Sequence, residues 1–509
     1  MKKKFVKSRP DGGFAQRMPH RRQTGPMLAL SLFLCGCTTG PAFVRPAIDV
    51  PVFYKEQGVA QQAGWKPAQP QDTTARAAWW KNYGDPTLDE LVEQVDLANQ
   101  SLAEAEARFR QAQALVGSAR ASLYPTVGAD LSSTRSSANT RSTQNLAASA
   151  AGSTADNSAG SSTRSTLNIS ADWEIDLWGR IRRTVESRQA SAWASAADLE
   201  AARLSAQTEV AINYFSLRSI DTQKQLLERT LRDYERSVKL TQNQYEAGII
   251  AKGDLILAQT QLKSTQAQAL DLDVKRAQYE HAIALLIGKT PSAVWIGVAP
   301  LTTIVPTFPA TLPSELLERR PDIAAAERRV AAANADIGVA QAAYFPRLSL
   351  SASGGAQSSG LADLLSLPNR FWSLGPALVA TLFDGGLRRS EVEQASAAYE
   401  GTVAAYRQTV LNGFREIEDN LAALRILEQE AQVQDEAVQL SRRSVELANN
   451  QYRAGIVSYL NVIQVQSTAL SNERTALDLL NRRLAASVQL VKALGGDWVQ
   501  AIATLPTAP

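Results

Sequence analysis

"NQYEAGII" at residues 243–250 returns as "NQYRAGIV" at 450–457, with six of eight residues identical and a constant offset of 207. The same offset relates Gln259 to Gln466 and Gly288 to Gly495. At an offset of 221, three earlier residues also have counterparts: Gly117, Ala119 and Pro125 correspond to Gly338, Ala340 and Pro346. We therefore predict an internal duplication, each half built as helix, strand, loop, strand, long helix, turn and helix.

The repeated phrase marks the end of a long helix in each half. No proline interrupts the chain between Gly179 and Gly248 or between Gly386 and Gly455, and a continuous helix of that length spans about 100 Å. Gly248 and Gly455 suit the left-handed position that commonly ends a helix. We predict a helical hairpin in each half, and the competing interpretation is an extended coiled-coil stalk.

Four short stretches alternate apolar and polar residues and predict β-strands: 124–133, 166–176, 345–354 and 373–384. Each is about ten residues long, near the ~9–11 of a tilted transmembrane strand. No segment after the N-terminal region has eighteen consecutive apolar residues, so any membrane crossing must use strands. The Ser-rich segments 134–164 and 355–370 predict exposed loops. The alternative is a soluble β-hairpin domain.

The strand pattern predicts which residues share a face. In the second stretch one face carries Leu167, Ile169, Ala171, Trp173 and Ile175. In the fourth stretch the corresponding apolar set is Leu374, Pro376, Leu378, Ala380 and Leu382. Both sets alternate with residues of the opposite face, as expected for strands that contact lipid on one side only.

The N-terminus has the layout of an export signal. Basic residues precede the apolar run "MLALSLFL" (27–34), which is too short to span a bilayer. Leu34-Cys35-Gly36-Cys37 resembles a bacterial lipobox, so we expect residues 1–36 to be removed and Cys37 to be lipid-modified. The alternative is a plain signal peptide. The proline-containing segment that follows predicts a lipid-anchored extended tether over 37–84.

Several classes of function are disfavoured by composition and motifs. The 53 basic and 50 acidic residues give a net charge of +3, which offers no basic patch for nucleic acid. We find no P-loop, nucleotide fingerprint, zinc-protease motif or nucleophile elbow, and therefore no catalytic constellation. His281 stands without cysteine or histidine neighbours on its helix, so we expect no metal site, no cofactor and no enzyme activity.

Six stretches carry a resemblance to a known family: "WWKNYGDPTLDELV" (79–92), "DWEIDLWGRIRR" (172–183), "LPSELLERRPDIAAAERRVAAANADIGVAQAAYFPRLSL" (312–350), "LFDGG" (382–386), "YRAGIVSYL" (452–460) and "ALGGDW" (493–498). The chain resembles the bacterial outer-membrane efflux proteins, the TolC-like outer-membrane factors, especially the lipoprotein branch of multidrug systems. The resemblance implies a mainly α-helical homotrimer. Its 12-stranded outer-membrane β-barrel would continue as a long periplasmic α-helical barrel.

The resemblance also implies partners and a location. The channel would lie in the outer membrane, held by the lipid anchor and the β-barrel, and extend into the periplasm. It would contact a periplasmic adaptor coupled to an inner-membrane efflux pump, and act as a passive conduit for drugs or other small toxic compounds. Two competing functions are a periplasmic adaptor and a structural coiled-coil lipoprotein.

Particular residues acquire expected roles from the resemblance. The turns that dock the adaptor would be Ala247, Gly248 and Ile249, with Ala454, Gly455 and Ile456. The candidate gate residues are Tyr245, Asp254, Tyr452, Arg453, Asn461 and Gln464. The tyrosines, with Glu246 and Arg453, would lock neighbouring hairpins, the alternative being solvated tip residues. Asp254 is either a gate residue or a helix N-cap.

The acidic ring that related channels place near Gln464 is absent, which weakens the case for a cation-sensitive constriction. Residues 319–322, "RRPD", look motif-like, but Pro321 and Asp322 are ordinary helix-starting residues. We predict the first repeat over 85–290, an inter-repeat linker over 291–318, the second repeat over 319–496 and a C-terminal tail over 497–509.

Overall fold

The computed structural model describes residues 39–49, 51, 54–57, 78–137, 161–306, 319–360 and 362–496. The predicted signal peptide, Cys37 and the C-terminal tail 497–509 lie outside these residues. Within them the α-helices are α1 (Pro86–Ala98), α2 (Gln100–Ala121), α3 (Arg180–Glu246), α4 (Lys252–Leu286), α5 (Pro321–Ala342), α6 (Leu387–Arg453) and α7 (Tyr459–Ala493).

The two halves of the chain match element by element. Helices α3 and α6 are each 67 residues long, and helices α4 and α7 are each 35 residues long. At 1.5 Å per residue, α3 and α6 extend about 100 Å. Helices α2 and α5, which precede the strands, both have 22 residues. The predicted duplication and the two long hairpins are therefore confirmed.

The strands form one antiparallel sheet, β1 (Thr126–Ser137), β2 (Ser161–Ile175), β3 (Arg347–Ser358) and β4 (Arg370–Val379), in that order. Strands β1 and β4 are its edges, so each has one side without a strand neighbour among the described residues. The first pair comes from the first repeat and the second pair from the second. The contact between β2 and β3 joins the two halves.

The register gathers the apolar residues of all four strands on one face. Leu131 lies opposite Leu167, Trp173 opposite Leu350, and Leu350 opposite Pro376. We call this set the apolar face: Val127, Ala129, Leu131, Leu167, Ile169, Ala171, Trp173, Ile175, Leu348, Leu350, Ala352, Trp372, Leu374, Pro376 and Leu378. The other face is mostly polar, with Asp130, Asn168, Asp172 and Glu174.

The strand ends differ from the prediction. Strand β1 continues to Ser137 and β2 begins at Ser161, so the strands run into segments that we expected to be loop. Their serines still fit, because a ladder rests on backbone pairing, and the Ser133 and Ser165 hydroxyls hydrogen-bond at 3.1 Å.

The predictions for the second strand pair also need correction at their boundaries. Strand β3 continues to Ser358, beyond the predicted start of the second loop at residue 355. Strand β4 ends at Val379, which removes Ala380 and Leu382 from the predicted strand. Its partner β3 starts directly after Pro346, and proline has no N–H to extend the ladder.

Acidic side chains set the starts of several helices. Asp85 caps α1 by accepting hydrogen bonds from the backbone N–H groups of Thr87 and Leu88, as predicted. Asp176 accepts from the N–H groups of Ile181 and Arg182 at 3.1 and 2.9 Å, which fixes the bend between β2 and α3. Asp384 does the same before α6, and its hydrogen bond from Arg388 lowers its pKa below the usual range.

Two apolar clusters lie at mid-height of the helices. The first joins the short helix Trp79–Tyr83 and α1 to α3, α4 and α7 through residues such as Val92, Phe215 and Val488. The second joins Tyr54 to α5, α6 and α7. Predicted as a tether, 37–84 is thus packed against helices at Tyr54 and at 79–83. Among the described residues, no helix is both long and apolar enough to cross a membrane.

The described part of the inter-repeat linker, residues 291–306, is fixed by buried charges. Asp221 of α3 is fully buried and accepts a hydrogen bond from Arg276 Nε at 2.8 Å and one from the N–H of Ala299 at 3.2 Å. Arg218 forms an ion pair with the same carboxylate at 3.3 Å. Glu280 accepts from the N–H of Ile296 at 2.7 Å. The linker is therefore tied to α3 and α4.

The segment 39–49, which we call the anchor segment, is held at the junction of strands and helices. Arg183 donates to the carbonyl oxygens of Thr39, Gly40 and Pro41 at 2.9, 3.2 and 3.3 Å. The N–H of Thr39 donates to the carbonyl of Trp178 at 3.2 Å. Gly338 of α5 lies so close that a Cβ there would be 2.9 Å from the Thr39 carbonyl oxygen.

Candidate functional site at the helical tips

The two turns that carry the repeated phrase have the same geometry. Gly248 and Gly455 have φ of 74° and 73°, values that favour glycine. The glycine N–H donates to the carbonyl of Tyr245 or Tyr452 at 2.9 Å, and the next N–H closes a second bond of 2.9 Å. This pair of bonds is the Schellman motif, so the predicted left-handed helix ends are confirmed.

The turns are open to solvent. Ile249 is 70% exposed and Ile456 is 72% exposed, and the neighbouring alanines and glycines are exposed as well. Apart from the residues directly before and after each glycine, no described residue has a heavy atom within 4 Å of the position that a Cβ would take on Gly248 or Gly455. Exposed isoleucines at the ends of two adjacent hairpins are an apolar surface that a partner can bury.

A hydrogen bond joins the two hairpins just above these turns. The Tyr452 hydroxyl donates to Oε1 of Gln244 at 2.8 Å. The Tyr452 ring packs at 5.4 Å, centroid to centroid, on the ring of Tyr459, which is buried. Tyr459 in turn packs with Ala258 and Val462. Tyr452 thus links α6 to α3, while its ring is held by α7.

Three other residues predicted to hold the hairpins together, Tyr245, Glu246 and Arg453, make no hydrogen bond or ion pair between hairpins among the described residues. Tyr245, the repeat counterpart of Tyr452, is 38% exposed, and its hydroxyl forms no hydrogen bond with any described residue. Glu246 accepts a hydrogen bond from Gln242, one turn earlier on the same helix, rather than bridging hairpins. Arg453 is exposed and forms no ion pair with the described residues.

Asp254 is not a helix N-cap. Helix α4 begins at Lys252, its N-cap residue is Ala251, and no side chain caps it. Asp254 is the third residue of the helix and is half-buried. Burial, and after it the negative charge of Asp254, raises the pKa of Tyr452. Asp254 therefore lies close enough to act electrostatically on the tyrosine that joins the hairpins.

Asn461 and Gln464 lie on the first turns of α7, and both side chains are exposed. Asn461 is the third residue of its helix, as Asp254 is of α4. The two hairpins thus place a carboxylate and an amide at equivalent positions. In the described part of the chain, no three His, Cys, Asp or Glu side chains group in a way that could hold a metal ion.

Two residues of this site were missed from the sequence. One is Gln244, whose side chain accepts the hydrogen bond from Tyr452. The other is Tyr459, whose ring packs on the ring of Tyr452. The repeat itself contained a signal for the first, since Gln244 and Gln451 precede the two tyrosines in the same phrase.

Comparison with known proteins agrees with this geometry. The family model for outer membrane efflux proteins matches twice, over residues 91–289 and 312–496. The pyoverdine export outer membrane protein OpmQ of Pseudomonas aeruginosa is 32% identical over 474 residues, which cover 92% of this chain and 95% of that protein. The cation efflux system protein CusC of Escherichia coli is 28% identical over 92% of this chain and 98% of its own.

The solved structure of the outer-membrane channel OprN superposes with a TM-score of 0.79 at 30% identity, covering 90% of this chain and 99% of that one. The predicted fold class, long helices continued by membrane strands, is therefore confirmed over nearly the whole chain. The double match and the near-complete coverage show that the chain belongs to the outer membrane efflux protein family.

Proposed function

We propose that the protein is the outer-membrane channel of a tripartite efflux system, a passive conduit that receives its cargo from a separate pump. The observation that carries this proposal is the apolar face, which crosses all four strands while the opposite face is mostly polar. From Leu167 to Ile175 this face extends about 26 Å along the strand, near the ~25 Å apolar band of membrane barrels.

The open sheet is the argument for a trimer. Within the described part of the chain, strands β1 and β4 each have one edge that no strand pairs with. Exposed backbone edges are not tolerated in the hydrocarbon region of a membrane. Four strands are too few for a closed membrane barrel, whereas three copies supply twelve. The long helices α3 and α6 continue from β2 and β4, so they would extend the barrel into the periplasm.

The exposed turns suit a docking role. We assign Ala247, Gly248 and Ile249, with Ala454, Gly455 and Ile456, to contact with a periplasmic adaptor that is coupled to an inner-membrane pump. A trimer would offer six such turns of two kinds. Their exposed isoleucines would be buried by the adaptor, and their glycines leave room for a close approach.

We assign the gate to the residues around the bond between the hairpins. Tyr452 and Gln244 hold α6 against α3, and Asp254 adds a negative charge beside them. Tyr245, Arg453, Asn461 and Gln464 complete the set, on surfaces exposed in the single chain. Opening would separate hairpins that these side chains hold together, with the free energy supplied by adaptor binding.

A lipid anchor on Cys37 agrees with the position of the anchor segment. Thr39, two residues after Cys37, is held against Trp178 and Arg183 where the strands meet the helices. A lipid attached to Cys37 would therefore enter the membrane leaflet beside the periplasmic end of the sheet. We also propose the repeat boundaries 85–290 and 319–496, with the linker 291–318 between them.

The adaptor and coiled-coil alternatives are not favoured, because both halves match the efflux-channel family. The relatives' names mention pyoverdine and cations. For this chain we propose drugs or other small toxic compounds. Asn461 and Gln464 are exposed amides, and a ring of amides would coordinate cations less strongly than a ring of carboxylates.

A complementation experiment tests the proposed function. The gene is expressed in a host that lacks its own outer-membrane efflux channel but has an inner-membrane pump and its periplasmic adaptor. We expect restored resistance to the pump's substrates, and no restoration when the adaptor is deleted. Unchanged susceptibility, with the protein present in the outer membrane and all partners expressed, would contradict the proposal.

A further inference from the structure

We infer that the Tyr245 hydroxyl donates a hydrogen bond to the side chain of Gln451 in a neighbouring copy of the chain. The tips would then be closed by a tyrosine–glutamine hydrogen bond that occurs both within each copy and between neighbouring copies. This inference rests on the trimer of the proposed function. It goes beyond that proposal because it assigns a partner residue to Tyr245 and identifies the surface between copies.

The two repeats are equivalent at the tips. Within one chain, Tyr452 of the second hairpin reaches Gln244 of the first. Their counterparts at the offset of 207 are Tyr245 and Gln451. In the trimer the first and second hairpins would alternate around a ring. A rotation that superposes the first hairpin of a chain on its second hairpin also superposes that second hairpin on the first hairpin of the next copy. The Tyr452–Gln244 contact then maps onto Tyr245 of that copy and Gln451 of this one.

Both side chains are available for a contact with a neighbouring copy. Tyr245 and Gln451 are exposed, and neither side chain forms a hydrogen bond with a described residue. Their counterparts Tyr452 and Gln244 are both partly buried by the contact that they make. Within one chain, the Tyr452–Gln244 pair is hydrogen-bonded, whereas Tyr245 and Gln451 have no such partner among the described residues. A contact that repeats around a ring of copies requires this difference.

Helix α6 carries an exposed apolar stripe. Ile426, Val433, Leu440 and Leu447 are spaced seven residues apart, and each is at least half exposed. A seven-residue apolar spacing is typical of a helix that packs along another helix. The stripe ends four residues, about one turn, before Gln451. It therefore leads directly to the proposed hydrogen bond.

The same rotation supplies the partner for this stripe. Helix α3 packs against α7 within the chain, so the rotation places α6 against α4 of the neighbouring copy. Helix α4 has its own exposed apolar residues: Ile256, Leu270 and Val274 are all more than half exposed. Helices α4 and α6 thus both carry exposed apolar side chains that this contact between copies would bury.

The two contacts are unequal. Tyr452 packs on Tyr459, whereas the repeat counterpart of Tyr459 is Lys252. The Tyr245 ring therefore has no aromatic side chain at the equivalent position. The contact between copies is therefore the weaker of the two, because it lacks this ring packing.

Cross-linking tests this inference on the full-length protein in outer membranes. The double variant Tyr245→Cys with Gln451→Cys is treated with a short bismaleimide and separated on a denaturing gel, where we expect covalent dimers and trimers. The double variant Gln244→Cys with Tyr452→Cys is the matched control of known geometry. It should react within one chain and stay monomeric, with the linked peptides identified by mass spectrometry.

The outcomes of the cross-linking distinguish a failure of this inference from a failure of the proposed trimer. The single variant Tyr245→Cys and the distant pair Tyr124→Cys with Gln451→Cys should give no multimers. If a native gel shows the trimer and the control pair reacts, but Tyr245→Cys with Gln451→Cys gives only monomers, the inference is wrong while the proposed function stands. If the wild-type protein forms no trimer, the inference and the trimer of the proposed function both fail.

Discussion

The Tyr452 hydroxyl lies 2.8 Å from Oε1 of Gln244, a residue 208 positions earlier in the chain. This bond joins the two hairpins at the end of helices that are about 100 Å long. Because the hydrogen bond lies beside the turns, its loss directly affects how far the tips can separate. The proposed gate is therefore best tested by substitutions that remove only the hydrogen-bonding atom of one of these side chains.

Replacing Tyr452 with phenylalanine removes the hydroxyl but keeps the ring on Tyr459. One net hydrogen bond contributes about 1 kcal/mol, so each bond lost should raise the open fraction about fivefold. We expect a larger basal conductance and greater sensitivity of cells to large antibiotics. Tyr124→Phe, at an exposed tyrosine near the strands, is the control and should leave conductance unchanged. An unaltered conductance of Tyr452→Phe would remove this residue from the gate.

Gly455→Asp tests the docking turn. The φ of 73° strains any side chain, but no atom lies near the Cβ position, and Asn and Asp tolerate this region better than most residues. We expect Gly455→Asp to abolish efflux while the protein stays in the outer membrane as a trimer. Gly455→Asn has the same shape without the charge and should keep most of the activity.

Drug susceptibility of complemented cells, read beside a native gel of their membranes, checks this prediction. Equal loss of efflux in both Gly455 variants would indicate that backbone strain, and not the charge at a docking surface, explains the effect. Wild-type susceptibility of Gly455→Asp would show that this turn does not dock the adaptor.

The anchor segment makes a prediction about two glycines that the repeat equates. A Cβ on Gly338 would lie 2.9 Å from the Thr39 carbonyl oxygen and 3.0 Å from Arg183 Nε, whereas one on Gly117 would meet no atom within 4 Å. Alanine in a helix is favoured over glycine by about 1 kcal/mol. Gly117→Ala should therefore raise the thermal stability of the purified protein, and Gly338→Ala should lower it. Equal shifts in melting temperature would show that the anchor segment is not packed here.

Stability should fall at high pH because of Tyr214. Burial, followed by the hydrogen bond to Asp85, raises the pKa of Tyr214 to about 12. An unfolded tyrosine ionises near pH 10, so the unfolded state loses its proton first as pH rises. The folded state should lose stability between about pH 10 and 12. In Tyr214→Phe the melting temperature should fall less steeply over this range, while Tyr124→Phe should follow the wild type.

The buried charges around Asp221 are expected to be sensitive to the loss of one partner. Asp221 is fully buried and pairs with Arg218 and Arg276. Asp221→Ala leaves two buried cations without their shared carboxylate, a change that typically costs 3–5 kcal/mol. We expect a large fall in melting temperature. Lys275→Ala, which breaks the exposed pair with Asp271, should change it little.

Much of the fold was predictable because its signals are local. Glycine at 248 and 455, the absence of proline in the long helices and the alternation around Leu167 are each visible in short windows of sequence. The ends of the strands could not be predicted in this way, because a strand ends where its partner strand stops pairing with it. Strand β4 stops where its neighbour begins after Pro346.

The site was predictable only in part, for the same physical reason. The tyrosines of the repeated phrase could be singled out, but the acceptor Gln244 is brought to Tyr452 by the packing of α3 against α7. The contacts of Arg183 with the anchor segment have no counterpart in the second repeat. No periodicity or duplication could therefore indicate them.

The most direct test of the central claim is the conductance of the purified trimer in a planar lipid bilayer. We expect discrete channel openings from a trimeric species, with a larger open fraction for Tyr452→Phe than for the wild type. A trimer that inserts into the bilayer and never conducts, in either the wild type or this variant, would contradict it.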